Sequence, residues 1–301
     1  MSERSIFASL TREPDGTFCS RHGPYTLRSA FQPIFRQQEG GGLELRAVEG
    51  LIRPNSAGET VAPAEFFARL ADDDRAAVDS LCRSLHILNA RPFASRDLAL
   101  LVNFQPGLFV TGHAIRQEVE RMRLAAHEAG LRPGRIACEL RARPDDDPAM
   151  LADFAANLHR GGFLVAIDDF AGDDRDMERI DRLGADIAKL DTIWVRRVAE
   201  NSAGATLLRL AVEQLRRLGT EAVLAGVEET WQLALADEID RPLVQGYLLG
   251  RPELAPTTFD LRYPADDRPG MEARDDDHAS AAGPHRLAAA VAVMPFGRKG
   301  V

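Results

Sequence analysis

The sequence contains few cysteines and almost no lysine. Its 301 residues include only Cys19, Cys82 and Cys138, and no two of them have Cys-x-x-Cys spacing. This excludes a disulfide framework and a zinc knuckle, and it favours a reducing compartment. Lysine occurs only at Lys189 and Lys299, whereas the other 35 of the 37 basic residues are arginine. A lysine within an apolar segment, as Lys189 is, therefore becomes a candidate functional residue.

Long apolar runs and a positive net charge are also absent. No segment approaches the ~20 apolar residues of a membrane span. The first twenty residues are interrupted by charges and lack the apolar core of a signal peptide. We therefore expect a cytoplasmic protein with no membrane span. The formal charge of −9 disfavours a nucleic-acid polymer as a partner, whereas 45% hydrophobic and 28% charged residues are typical of a soluble globular chain.

Composition divides the chain into three parts. Residues 1–28 predict an irregular lead-in, residues 29–263 a barrel domain, and residues 264–301 a disordered tail rich in Asp, Ala, Gly and Pro. The middle part alternates short apolar runs with longer amphipathic ones, the pattern of βα units. Eight of the short runs are strand candidates: Ala30–Phe35, Leu43–Ile52, Leu98–Phe104, Ile136–Leu140, Phe163–Asp168, Asp186–Leu190, Glu221–Ala225 and Leu243–Tyr247.

Eight strands in a domain of this size predict an α/β fold, a (β/α)8 TIM-like barrel. Segments 74–90, 115–129, 149–159 and 206–218 have the apolar spacing of helices between strands. A doubly wound open sheet could use the same elements, but it usually begins with a Gly-rich turn after its first strand, and no such turn is present. In a parallel barrel the active site lies at the C-terminal ends of the strands.

Polar side chains occur near the ends of nearly all these strands. They are Gln32, Glu49, Asn103, Glu139, Asp168 with Asp169, Lys189 with Asp191, and Gln245. A single carboxylate of this kind is more often a helix cap or a solvated residue. A set on successive strands would repel strongly unless cations lie between them.

The chemistry of these donors favours particular cations. Oxygen ligands without His or Cys favour Mg²⁺ or Mn²⁺, with Ca²⁺ as an alternative, over zinc. The adjacent pair Asp168 and Asp169 suits two ions that activate water for phosphodiester hydrolysis. Lys189 would stabilise developing charge or hold the attacking water.

The same residues resemble the EAL family of cyclic di-GMP phosphodiesterases, over Ser29 to Tyr263. One such tripeptide would be a weak signal, but seven in the right order are specific for the family, although not for its activity. The matching segments are Phe31-Gln32-Pro33-Ile34, Glu49-Gly50-Leu51-Ile52-Arg53, Leu101-Val102-Asn103-Phe104, Cys138-Glu139-Leu140, Ile167-Asp168-Asp169-Phe170, Lys189-Leu190-Asp191 and Gln245-Gly246-Tyr247-Leu248-Leu249-Gly250-Arg251-Pro252.

The resemblance implies a role for each matched residue and cyclic di-GMP as the ligand. The ligands of a first Mg²⁺ or Mn²⁺ would be Glu49, Asn103, Glu139 and Asp168, and Asp168 and Asp169 would serve a second ion. Lys189 would hold the nucleophilic water and, with Glu49, belong to the catalytic set. Contacts to the dinucleotide would come from Gln32, Arg53, Asp169, Gln245 and Arg251.

Four departures from the family pattern affect this expectation. Ala225 stands where the family has a glutamate that binds the second metal, and Glu228 or Glu229 could substitute for it. The loop at 171–176 and the segment Arg141-Ala142 after Glu139 also differ from the family. Gly50 replaces the usual Ala of the signature, a change that we expect to be tolerated.

We therefore expect one well-held ion and an impaired second site. The leading hypothesis is a degenerate EAL-type protein that binds cyclic di-GMP, a regulatory protein partner, or both, with weak or no hydrolysis. The alternative is an active phosphodiesterase that gives linear pGpG, with Glu228 as a substitute catalytic residue. A homodimer is possible under either hypothesis.

Overall fold

The computed structural model describes residues 9–39, 42–96, 98–109, 111–141, 147–199 and 202–264. Its strands, in chain order, are β1 (Leu10–Arg12), β2 (Phe18–His22), β3 (Tyr25–Gln37), β4 (Leu43–Ser56), β5 (Glu59–Thr60), β6 (Ala99–Phe104), β7 (Ile136–Leu140), β8 (Leu164–Phe170), β9 (Ile187–Leu190), β10 (Glu221–Leu224), β11 (Leu243–Val244) and β12 (Glu253–Leu254). Eight of them close a barrel in the order β3-β4-β6-β7-β8-β9-β10-β11. This confirms the predicted α/β barrel.

The barrel is not fully parallel, which corrects one expectation. Strands β4, β6, β7, β8, β9, β10 and β11 run parallel, whereas β3 is antiparallel to both β4 and β11. A short connection follows β3 directly, and such a hairpin can only join antiparallel strands. As a result, Gln32 lies within its strand and pairs in register with Glu49.

Helices surround the barrel. They are α1 (Pro63–Ala68), α2 (Asp72–Asn89), α3 (Gly112–Ala129), α4 (Pro148–Arg160), α5 (Asp174–Leu183), α6 (Thr192–Val198), α7 (Ser202–Leu218), α8 (Thr230–Glu238) and α9 (Phe259–Arg262). The four predicted helices are present as α2, α3, α4 and α7. Within the described ranges, no helix combines the length and apolar character that a membrane crossing requires.

Two apolar layers hold the barrel together. Small and branched side chains fill its interior, among them Ala99, Ala137, Ala166, Ile187 and Val223. A larger layer between strands and helices contains most of the buried aromatic residues. The interior is therefore packed below the rim, so the chemistry must lie at the rim itself.

The chain before the barrel is more regular than predicted. Strands β1 and β2 pair antiparallel, and β2 continues onto the start of β3. The sequence predicts an irregular segment over residues 1–28 because Pro and Gly interrupt it and it shows little periodicity. Hydrogen bonds to a neighbouring strand order such short segments, and sequence periodicity does not reveal those bonds. The predicted tail lies, apart from Pro264, outside the described residues.

Candidate active site

Lys189 lies at the centre of a buried polar cluster. Strand β9 carries it into the barrel, where its Nζ donates to Glu49 Oε2 at 3.2 Å and to Glu139 Oε1 at 2.9 Å. Burial alone would lower the pKa of this amine, but the charges of Glu139 and Glu49 outweigh burial and raise it. Lys189 is therefore an ammonium ion, a hydrogen-bond donor that is not available as a general base.

Glu49 connects the cluster to two further strand ends. Its Oε2 also accepts a hydrogen bond from Gln245 Nε2 at 2.7 Å, and Asn103 Nδ2 lies 3.5 Å from its Oε1. Glu49 and Gln245 are both buried. The structure thus brings together five of the predicted site residues: Glu49, Asn103, Glu139, Lys189 and Gln245.

Glu139 has an unused oxygen. Its side chain is buried, and its Oε2 has no hydrogen-bond partner among the described residues. Burial raises the pKa of Glu139 because it disfavours the charged form, and Lys189 offsets only part of this effect. A buried acceptor without a partner is costly, so this oxygen is suited to receive a cation or a proton.

Asp168 and Asp169 occupy an irregular stretch of β8. The register between β8 and β9 shifts between Ile167 and Phe170, and Asp169 has a positive φ of 56°. A bulge of this kind turns neighbouring side chains away from the regular alternation of a strand. Burial and the charge of Asp168 raise the pKa of Asp169. Asp168 instead accepts a hydrogen bond from Arg141 Nη2 at 3.1 Å.

Beside the carboxylates lies a region with unpaired positive charge. Gln32 Nε2 donates to the Gly250 carbonyl at 3.2 Å, which joins β3 to the segment that carries Arg251. The Arg251 guanidinium lies 4.5 Å from the centre of the Tyr247 ring, and the Arg53 guanidinium donates to its neighbour's carbonyl, Ile52 O. Neither arginine has a salt bridge to a carboxylate that the structure describes.

Known proteins resemble this chain. A model of the EAL domain matches residues 24–252, more than half of the chain. The chain belongs to the EAL domain family.

Curated relatives match this EAL chain either over a short segment or at low sequence identity. The Escherichia coli (strain K12) protein named probable cyclic di-GMP phosphodiesterase PdeA is 36% identical over 96 residues, which are 32% of this chain and 13% of that protein. Cyclic di-GMP phosphodiesterase NbdA of Pseudomonas aeruginosa is 25% identical over 239 residues, 75% of this chain and 29% of that protein. The chain therefore spans less than a third of the length of both relatives.

A solved structure confirms the fold. The manganese and cyclic di-GMP complex of Klebsiella pneumoniae BlrP1 superposes with a TM-score of 0.66 at 23% identity, and the match covers 81% of this chain and 58% of that one. The antiparallel β3 and the parallel strands that follow it are thus part of an EAL domain.

Ala225 stands where the resemblance implies a metal-binding glutamate, and its side chain offers no oxygen ligand. Ala225 directly follows β10, and its carbonyl accepts a hydrogen bond from Thr192 Oγ1 at 3.2 Å. Glu228 pairs instead with Arg196 at 2.8 Å, with both side chains about half exposed. Glu229 is the N-cap residue of α8. The structure does not bring either substitute to the Lys189 cluster, and a catalytic role for Glu228 stays a prediction.

His86 is a neighbour of the signature that sequence reasoning missed. A methyl group at Gly50 would lie 2.9 Å from His86 Cβ and Cγ, so this imidazole fills the space beside the glycine. His86 is buried on α2, and its Nδ1 lies 2.9 Å from Ser29 Oγ. The sequence signal is the glycine itself, which replaces the usual alanine of the signature.

The donors in this cluster determine which divalent ion fits. Within the described ranges, no three His, Cys, Asp or Glu side chains already form a metal-binding group, because Lys189 separates Glu49 from Glu139 and Arg141 holds Asp168. The donors are nevertheless hard oxygens, and Glu139 Oε2 is a buried acceptor without a partner. This chemistry fits Mg²⁺ or Mn²⁺.

Proposed function

We propose that this EAL chain binds cyclic di-GMP and hydrolyses it weakly or not at all. The observation that carries the proposal is the pair of arginines, Arg53 and Arg251, which form no salt bridge with any described carboxylate and lie beside a rim of carboxylates. Guanidinium groups bind phosphate oxygens in pairs of hydrogen bonds. Cyclic di-GMP phosphodiesterases are among the relatives of the chain, which supports this choice of ligand.

Each group near the rim has a proposed task toward the ligand. Arg53 and Arg251 would hold phosphate groups, and Tyr247, which is half exposed, offers a ring face to a guanine base. Gln32 would contact the base and Gln245 would orient Glu49. Burial removes some of the hydration of Arg53 and thereby lowers its pKa. An anionic ligand would compensate for that lost hydration.

A divalent ion would be held by Glu49, Asn103, Glu139 and Asp168, as the resemblance implies. When bound, it would polarise a phosphoryl oxygen. Lys189 is already charged and donates to two of these carboxylates, so it would hold a water or a phosphate oxygen by donation. BlrP1 has been solved with manganese and cyclic di-GMP, which supports Mg²⁺ or Mn²⁺ as the cation.

Weak hydrolysis is proposed because the second ion lacks a ligand. Ala225 offers no carboxylate, and Glu228 is paired with Arg196. Two-metal hydrolysis requires both ions to place a hydroxide in line with the scissile phosphate. Small misplacements of reacting groups are costly in catalysis.

Calorimetry with cyclic di-GMP, with and without Mn²⁺, tests the binding proposal. The double variant R53A/R251A should lose binding, whereas R182A should bind like the wild type, since Arg182 pairs with Glu178 on the outer helix α5. Each bidentate arginine contact contributes on the order of 1–3 kcal/mol, so the double variant should bind at least about tenfold more weakly. Equal affinity of both variants would contradict the proposed site.

A hydrolysis assay with excess Mg²⁺ or Mn²⁺ tests the second half of the proposal. Turnover to linear pGpG that D168A abolishes would favour an active phosphodiesterase instead.

A protein-contact role is supported by large apolar side chains that are exposed on α6 and α7, namely Ile193, Leu207 and Leu210. They offer a surface for a regulatory protein or a second copy of the chain.

A further inference from the structure

Arg141 places a fixed positive charge on the rim. It follows β7 directly, and its backbone N–H donates to Phe104 O at 3.2 Å, which anchors it to the end of β6. Its Nη2 donates to Asp168 Oδ2 at 3.1 Å. The Asp168 side chain is only 13% exposed, whereas that of Arg141 is 63% exposed. The guanidinium thus covers a mostly buried carboxylate from the solvent side.

The charges around Asp168 favour this pairing. Burial by itself opposes ionisation of Asp168, but Lys189 and Arg141 outweigh it and lower the pKa of the carboxyl group. A guanidinium does not lose its proton in proteins, and it has no lone pair with which to ligate a metal. Arg141 can therefore neutralise Asp168, and it occupies a lone pair of Oδ2 that a divalent ion would otherwise use.

We propose that Arg141 is a built-in cation that competes with a divalent ion for Asp168. A carboxylate that bridges two ions with one oxygen on each presents both of its oxygens to them. Arg141 engages one of these oxygens, Oδ2, and so leaves Oδ1 for a single ion. The inference rests on the proposed use of Asp168 as a metal ligand. It gives a second reason for the proposed single ion: the contact of Arg141 with Asp168 acts in addition to the lack of a carboxylate at Ala225.

The competition predicts that removing Arg141 strengthens metal binding. In R141A, Asp168 presents both oxygens, and one positive charge no longer repels the incoming ion. A partly exposed ion pair contributes up to an amount that corresponds to about a fivefold change in an equilibrium constant. We therefore expect Mn²⁺ to bind R141A more tightly than the wild-type chain, by up to about fivefold.

The experiment is a Mn²⁺ titration of the full chain by calorimetry, without nucleotide. Arg141→Gln serves as a second neutral variant, and Arg141→Lys retains the charge and should remain close to the wild type. R182A removes an arginine from an ion pair on α5, at a distance from the rim residues, and should also match the wild type. A thermal melt of each variant verifies folding, which the exposure of Arg141 favours.

The titration results that support the competition differ from those that overturn it. Tighter Mn²⁺ binding by both neutral variants, with R141K and R182A unchanged, supports the competition. Affinities within about twofold of the wild type, weaker binding, or no binding by any variant at millimolar Mn²⁺ would overturn it. Because the titration contains no cyclic di-GMP, its result is independent of the ligand-binding proposal, which a nucleotide titration in EDTA tests on its own.

Discussion

The contact between Gly50 and His86 makes a specific prediction about the family signature. Substitution of Gly50 by alanine restores the residue that the family usually has there, yet it should destabilise this chain. The added methyl carbon would lie 2.9 Å from His86 Cβ and Cγ, whereas carbon atoms prefer separations of about 3.5–4.0 Å. Since Cβ belongs to the main framework of α2, a rotamer change of His86 cannot relieve the clash.

The cost follows from the overlap. Overpacking of a closed core costs about 1–3 kcal/mol, and in a domain of this size about 2 kcal/mol corresponds to a fall in Tm of about 4–8 °C. Thermal melts followed by circular dichroism measure this fall. Gly134→Ala is the matched control, because a methyl group there meets its nearest neighbour at an ordinary 3.7 Å. A G50A variant that melts with the wild type would show that α2 can shift, and it would refute the steric argument.

Two further predictions concern buried charge. Lys189→Met leaves Glu49 and Glu139 buried without their shared ammonium, so we expect the free energy of unfolding, measured in urea, to fall by about 3–5 kcal/mol. Mn²⁺ should restore part of this loss. An unchanged urea midpoint would contradict the prediction. Burial, with Arg53 and Arg83 nearby, lowers the pKa of His86 to about 3, below its unfolded value. The resulting stability is present above about pH 6.5 and is lost as pH falls, by about 2 kcal/mol at pH 5. His86→Gln should remove this loss, and parallel urea curves at pH 7 and pH 5 for both proteins would check it.

The barrel could be predicted because its strands are almost all buried. Runs such as 163–167 are apolar without interruption, and amphipathic helices separate them, so the order of elements follows from periodicity. The direction of β3 could not be predicted in this way. Its apolar pattern fits either direction, and the short connection to β4 decides the outcome. Strand ends were also approximate: the last predicted strand, 243–247, is reduced to Leu243–Val244.

The candidate site was predicted in its residue types and less well in its contacts. The rule that strand ends meet at one rim places Glu49, Glu139 and Lys189 together from the sequence alone. It could not choose partners among them. The bulge at Asp169 and the hydrogen bond from Arg141 to Asp168 depend on backbone irregularities and long side chains. A departure from the family pattern was visible at Arg141, but the carboxylate that it covers was not.

The net charge at the rim relates the contacts of Lys189 and Arg141 to the number of divalent ions that the rim can balance. Four carboxylates lie there, Glu49, Glu139, Asp168 and Asp169, and the resident cations that bond to them are Lys189 and Arg141. The negative charge that remains equals the charge of one divalent ion. A second divalent ion would make the rim positive unless the ligand's phosphates entered with it, and the carboxylate that would offset it is absent at Ala225. Replacing Arg141 by a neutral residue removes part of this barrier, which is why metal binding rather than turnover is the sensitive readout of that substitution.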